Sequence, residues 1–232
     1  MSLELNPSKT QEKLTTFLKE TLAKTGRSHL VLGASGGIDS ALSCFLAAEA
    51  IGPDNVLVLR MPYKTSSPES LTHAQMVIKA TGVQSKTLSI TKPVDAILNL
   101  FPEAGPVRRG NVMARMRMIY NYDQAASFQG LVVGTGNKTE ILLGYATLHG
   151  DAACDLNPLA DLYKTQVRLM AAFMEIPQVI IDKAPSADLW PGQTDEKELG
   201  FTYEEVDKLL YLLVEEGTTV EEALQAGFEE AF

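Results

Sequence analysis

Long hydrophobic runs are absent from this 232-residue sequence: no uninterrupted apolar segment approaches the ~20 residues needed to cross a bilayer. Residues 1–13 mix charge with Ser and Thr where a secretory leader would need an apolar stretch. A cytoplasmic protein with no membrane partner is the expectation. Cysteine is scarce too, with Cys44 in an apolar helical pattern and Cys154 in a loop, so neither a disulfide framework nor paired zinc ligands can be read. Three scattered histidines add no metal signature. Repeats, low-complexity tracts and a linker are also missing. The economical organisation is one domain over 1–232, with an α/β core at 28–150 and a loop and helical part at 151–232.

Hydrophobic residues make up 45% and charged residues 21%, the composition of an ordinary globular chain rather than a disordered one. The net charge of -9 is concentrated at one end: residues 192–232 hold 12 acids against 2 bases, which leaves the first 191 at +1. Such a surface repels a polyphosphate backbone, so nucleic acid is not an expected partner, although a local basic cleft can still hold one nucleotide.

Leu14, Phe17, Leu18 and Leu22 recur at helical spacing within 8–24, and Gly26 ends that helix. Strands are expected at 29–32, 55–59, 85–90 and 131–133, and helices at 38–50, from the Ser67-Pro68-Glu69 cap to about 80, and at 107–128. Strand and helix alternate, which predicts an α/β fold with a doubly wound parallel sheet, its ligands lying beyond the carboxyl ends of the strands. Further on, a helix at about 162–174 and two short terminal helices are expected, the last two opened by the capping boxes Thr202–Glu205 and Thr219–Glu222. On the 107–128 helix, Val112, Met116, Ile119 and Tyr120 share one face, flanked by Met113 and Met118. That is more apolar surface than one sheet needs, and it reads either as core or as part of a dimer interface.

The turn Gly33-Ala34-Ser35-Gly36-Gly37-Ile38-Asp39-Ser40 joins the first strand to a buried helix. Its glycines let successive N–H groups point at one spot, and the helix N-terminus behind them favours an anion by roughly 0.3–1 kcal/mol. Taken alone, such a turn is equally a tight connection. Asp39 shifts the balance, since a carboxylate beside a phosphate cradle is repulsive unless a cation sits between them; its bland role is a helix cap. No Gly-Lys-Ser/Thr follows, so this is not a Walker loop.

The turn resembles the pyrophosphate loop of the N-type ATP pyrophosphatases, of adenine nucleotide alpha hydrolase type. Downstream, Gly134-Thr135-Gly136-Asn137-Lys138-Thr139-Glu140, Gly144-Tyr145-Ala146-Thr147, Gly150-Asp151, Asp155-Leu156-Asn157-Pro158-Leu159 and Leu162-Tyr163-Lys164-Thr165-Gln166-Val167 follow in order. The stretch Lys183 to Trp190 and then Gly192 to Glu196 continue the series. Together, over about 30–203, these are similar to the ammonia-dependent NAD synthetases. The resemblance implies a carbon–nitrogen ligase that adenylates deamido-NAD with ATP and displaces AMP with ammonia.

Carried over by position, Gly33 to Ser40 would bind ATP phosphates, with Arg60, Thr135, Lys164 and Ser186 as further ATP contacts. Asp39 and Glu140 would ligate Mg2+, as a hard cation demands oxygen donors. Arg115 and Asp155 match contacts to deamido-NAD, and Asp151 takes the place of the acid near the ammonia site. Leu148 is counted among the substrate positions, although the resemblance implies a lysine there, as in the family's better-known members, and one expected contact to deamido-NAD is thereby lost. The resemblance also implies a homodimer and a basic tail containing His and Lys, whereas this sequence runs to Glu229-Glu230-Ala231-Phe232. A tRNA-thiolating relative and a non-catalytic nucleotide sensor are the rival readings. The acidic charge disfavours the first, and a paired Asp39 and Glu140 is superfluous in the second.

Overall fold

A computed structural model describes residues 3–186 and 194–228. The elements follow the order α1 (Pro7–Thr25), β1 (His29–Gly33), α2 (Ile38–Ile51), β2 (Val56–Arg60), α3 (Pro68–Thr81), β3 (Gln84–Thr87), α4 (Thr91–Leu98), α5 (Pro106–Ser127) and β4 (Gly130–Val132). Then come α6 (Lys138–Leu143), α7 (Lys164–Phe173), α8 (Gln178–Ile181), α9 (Asp195–Leu199), α10 (Tyr203–Val214) and α11 (Val220–Gln225). The expected motif residues 187–190 and 192–193 and the acidic end 229–232 lie outside the described residues.

The four strands form one parallel sheet in the order β3-β2-β1-β4. Successive residues of a strand point to opposite faces, and here both faces are covered, so the central strands carry unbroken apolar runs, 30–32 in β1 and 56–59 in β2. Leu30, Leu32, Val56 and Val58 join the layer that includes α1, α2 and α7, whereas Val31, Leu57 and Leu59 join the layer of α4 and α5. Fully burying one such side chain is worth about 1.5–3 kcal/mol. The Asn6 cap on α1, which accepts from Lys9 N at 3.1 Å, contributes only about 1 kcal/mol. The two-sided apolar pattern therefore places the sheet, and the caps trim its helices. Strand order reverses between β1 and β4, which opens a crevice beyond their carboxyl ends.

Several boundaries differ from the sequence expectation. The third strand covers Gln84–Thr87 rather than 85–90, and its four residues are exposed at the sheet edge. The ladder nevertheless continues, with Leu88 N donating to Arg60 O and Ile90 N to Pro62 O, before α4 begins. That helix was hidden because it is short and carries Pro93, yet Ile90, Val94 and Leu98 at four-residue spacing bury it. On α5, Met113 and Met116 are buried but Ile119 is 50% exposed, so only part of the expected face serves the core. Both capping boxes at α10 and α11 form. No helix among the described residues is long and apolar enough to cross a membrane.

Candidate active site

The chain leaves β1 at Gly33 and turns sharply into α2. Gly36 sits at φ +77°, and a Cβ there would lie 2.3 Å from the carbonyl oxygen of Ser70, so this glycine is required on both counts. Ser35 and Ser40 brace the turn: their hydroxyls lie 3.1 Å apart, Gly37 N donates to Ser35 Oγ at 3.2 Å, and Ser40 Oγ donates to Gly37 O at 3.0 Å. Gly37 is the N-cap of α2 and offers no side-chain acceptor to the first turn. Backbone N–H groups at this end therefore remain suited to an incoming anion.

Asp39, in the first turn of α2, meets two groups that are distant in sequence. Its Oδ1 accepts from Asn137 Nδ2 at 2.9 Å, and its Oδ2 from Lys164 Nζ at 2.5 Å. Asn137 is fully buried and also caps α6, accepting from Glu140 N at 3.0 Å while Glu140 Oε2 accepts from Asn137 N at 3.2 Å. One asparagine thus fixes both acids. Lys164, only 2% exposed, donates also to Glu140 Oε1 at 3.3 Å and lies 5.1 Å from the centre of the Tyr203 ring.

The electrostatics of this knot are lopsided. Burial, then the like charge of Asp39, push the Glu140 carboxyl above the ordinary range, with Lys164 opposing. For Lys164, burial alone would favour loss of the proton, but the charges of Asp39 and Glu140 outweigh it and hold the ammonium protonated. Two carboxylates share one cation, so the cluster can accept a second. Among the described residues no group of three or more His, Cys, Asp or Glu is placed to hold a metal ion by itself. The pair suits Mg2+, which commonly takes one or two carboxylates and completes its shell with water and phosphate oxygens.

A cavity of ≈ 530 Å³ opens beside these groups. All of Gly33–Ser40 except Gly36 borders it, together with Thr135, Glu140, Asp151, Lys164 and Ser186. Asp151 is exposed and accepts from Thr147 N at 3.0 Å. Four other sequence candidates do not border this cavity. Arg60 donates from Nη1 to Gln75 Oε1 at 2.6 Å; Asp155 accepts from Val132 N at 2.7 Å. Arg115 is exposed and donates from Nε to the backbone oxygen of Leu148 at 3.2 Å, and Leu148 itself is 67% exposed.

Sequence reasoning passed over several residues at the cavity. Lys183 reaches it and donates to Ser70 Oγ at 3.0 Å. Asp195 accepts from Tyr203 Oη at 3.2 Å and from Tyr145 Oη at 3.3 Å; burial raises its carboxyl despite the nearby Lys164 charge. Their motifs were visible, but the roles depend on contacts across the chain. Neither thiol is activated: burial pushes Cys44 up to about 12, and burial together with Asp155 raises Cys154.

A family model described as NAD synthase matches residues 10–231. The chain is 53% identical over 230 residues to an NH(3)-dependent NAD(+) synthetase of Trichlorobacter lovleyi, covering 99% of this chain and 84% of that one. An enzyme of the same name from Fusobacterium nucleatum is 51% identical over 226 residues, 97% of this chain and 88% of its own. Among solved structures, an NMN synthetase from Francisella tularensis superposes with a TM-score of 0.86 at 35% identity, covering 94% of this chain and 89% of that one. An NH3-dependent NAD synthetase from Campylobacter jejuni, in complex with nitrate, gives 0.82 at 31% identity over 98% and 90%.

Proposed function

The chain belongs to the NAD synthase family, and from that premise we infer that it is an ammonia-dependent ligase converting deamido-NAD, ATP and ammonia into NAD, AMP and pyrophosphate. The observation that carries the reading is the convergence of Asp39, Glu140 and Lys164 at the mouth of a glycine turn. Residues 28–150 serve in this reading as the nucleotide-binding core and 151–232 as a loop and helical C-terminal part. A cytoplasmic location and a homodimer belong to the same reading. The exposed Val107 and Ile119 of α5, with Leu100 and Phe101 before it, support the dimer.

A carboxylate resists ammonia because its leaving group would be oxide and its charge repels the nucleophile. Adenylation removes both obstacles. A nicotinate oxygen attacks the α-phosphorus of ATP in line, the bond to the bridging oxygen breaks, and pyrophosphate departs. The N–H groups of the 33–40 turn face the phosphates, and the protonated Lys164 neutralises charge on the departing group. Thr135 and Ser186 contribute further contacts to ATP from the cavity wall. A magnesium ion held by Asp39 and Glu140 would supply additional neutralisation of the pyrophosphate. Ammonia then adds to the acyl carbon, AMP leaves, and Asp151 accepts the ammonium proton. No covalent nucleophile is needed, consistent with the two unactivated thiols.

The similarity to an NMN synthetase supports a second reading in which the mononucleotide is amidated. Incubating the protein with ATP, Mg2+ and ammonium, with deamido-NAD or nicotinate mononucleotide side by side, decides between them. Faster release of AMP and NAD from the dinucleotide is expected; preference for the mononucleotide would replace the substrate, and no pyrophosphate release from either would overturn the reaction class.

A further inference from the structure

Helix α10 carries Tyr203, Asp207, Tyr211 and, just past its end, Glu215 at four-residue intervals, which places them in one row along the helix. Each meets the junction where α6 and α7 begin. The Tyr203 ring lies 5.1 Å from Lys164 Nζ. Asp207, fully buried, accepts from Thr139 Oγ1 at 2.5 Å and from Thr165 N at 2.8 Å. Tyr211 packs its ring 6.4 Å from that of Tyr163, and Glu215 accepts from Lys138 Nζ and, at 3.2 Å, from Tyr163 Oη.

The consequence lies one residue away from each contact. Thr139 precedes Glu140, and Lys164 N donates to Thr139 Oγ1 at 2.9 Å, so one threonine hydroxyl receives from the lysine's backbone and gives its own proton to Asp207. A single buried carboxylate thereby ties together the two helix starts that present Glu140 and Lys164. Burying an acid with no partner would cost several kcal/mol, yet here both oxygens are satisfied, each by a group of one of the two helices it joins.

We propose that Asp207 is a positioning residue for the adenylation step: through Thr139 and Thr165 it sets the spacing of Glu140 and Lys164, making the acidic α10 segment a working part of the ATP site. This rests on the function proposed above for those two residues. Loss of an outer partner of a ligand residue typically costs about 10–100-fold in metal affinity or activity, and Asp207→Asn should fall in that range. The loss should appear in kcat and in the Mg2+ concentration needed for half-maximal rate, with KM for deamido-NAD unchanged.

Thr139→Val should reproduce the defect, Thr139→Ser should largely restore the wild-type value, and Asp207→Asn with Thr139→Val should together cost little more than either alone. Leu212→Ala, which removes a buried α10 side chain outside the row of Tyr203, Asp207, Tyr211 and Glu215, is the control at a matched fall in Tm. ATP affinity measured by calorimetry in the presence of Mg2+ supplies a readout independent of turnover, and should weaken in Asp207→Asn but not in Leu212→Ala. Equal losses in those two variants, or additive losses for Asp207→Asn and Thr139→Val, would overturn the proposal. An inactive wild-type protein would count instead against the proposed function, whereas an active one with unaltered Asp207→Asn kinetics would count against the positioning role alone.

Discussion

The phosphate end of the site and the end assigned to the dinucleotide are built on different plans. At the first, Asp39, Asn137, Glu140 and Lys164 come from α2, the α6 cap, α6 and α7, and lock into one another across as many as 125 residues of sequence. At the second, Arg115, Leu148 and Asp155 are exposed; Arg115 donates to the backbone oxygen of Leu148 and Asp155 accepts from the backbone of β4. One end is pre-organised by the chain's own side chains. The other presents a surface that substrate or a second subunit would complete. Changes at the first should therefore act on kcat and stability together, and changes at the second on KM alone.

The sharpest break comes from the acids. Asp39→Asn and Glu140→Gln should each reduce pyrophosphate release by more than about 100-fold, beyond what an outer partner contributes. They should differ in stability. Breaking a buried ion pair costs on the order of 3–5 kcal/mol, and Asp39 holds Lys164 at 2.5 Å against 3.3 Å for Glu140. Thermal melts of the metal-free proteins should show the larger fall for Asp39→Asn; equal melts would mean that the lysine is not anchored by Asp39.

Next comes the turn itself. Gly36→Ala forces a side chain into the left-handed region and against Ser70 O, so a stability loss of at least about 1–3 kcal/mol is expected in urea unfolding. Gly37→Ala places its Cβ 3.3 Å from a single side-chain atom, Ser35 Oγ, and should cost the fold less than Gly36→Ala while weakening ATP binding. If Gly37→Ala leaves ATP affinity unchanged, the turn is structural only.

What was legible in the sequence follows the same division. The turn, the strand–helix alternation and the capping boxes are local patterns, and Asn137 with Glu140 three residues on could have announced the cap of α6. Lys164 was matched to ATP by position, but its grip on Asp39 is a contact across the fold that no spacing encodes. Asp207 was harder still, because an acid in an acidic helix looks like solvated surface until its burial is known. Ile119 shows the converse: its periodicity puts it on an apolar face, yet the core takes Met113 and Met116 with Val112 and Tyr120 packed against them and leaves Ile119 half exposed.

The nitrogen source is expected to give a graded effect. At fixed total ammonium the rate should rise about tenfold per pH unit below the ammonium pKa, because only NH3 has a free lone pair. Glutamine alone should not support synthesis, since the Cys44 thiol, pushed up to about 12 by burial, supplies no thiolate near neutrality. A pH-independent rate with ammonium, or synthesis from glutamine by the pure protein, would refute this. The smallest effect should be Leu148→Lys: stability within about 0.5 kcal/mol, as for an exposed site, and a severalfold lower KM for deamido-NAD at unchanged kcat. A change in kcat there would erase the distinction between the two ends.

Transfer of the carboxylate oxygen tests the central claim most directly. Deamido-NAD carrying a heavy-oxygen label in the nicotinate carboxylate, turned over with ATP and ammonium, should deliver one labelled oxygen to AMP and none to pyrophosphate. Label in pyrophosphate or inorganic phosphate, or unlabelled AMP, would contradict attack at the α-phosphorus and with it the role assigned to the Asp39, Glu140 and Lys164 cluster.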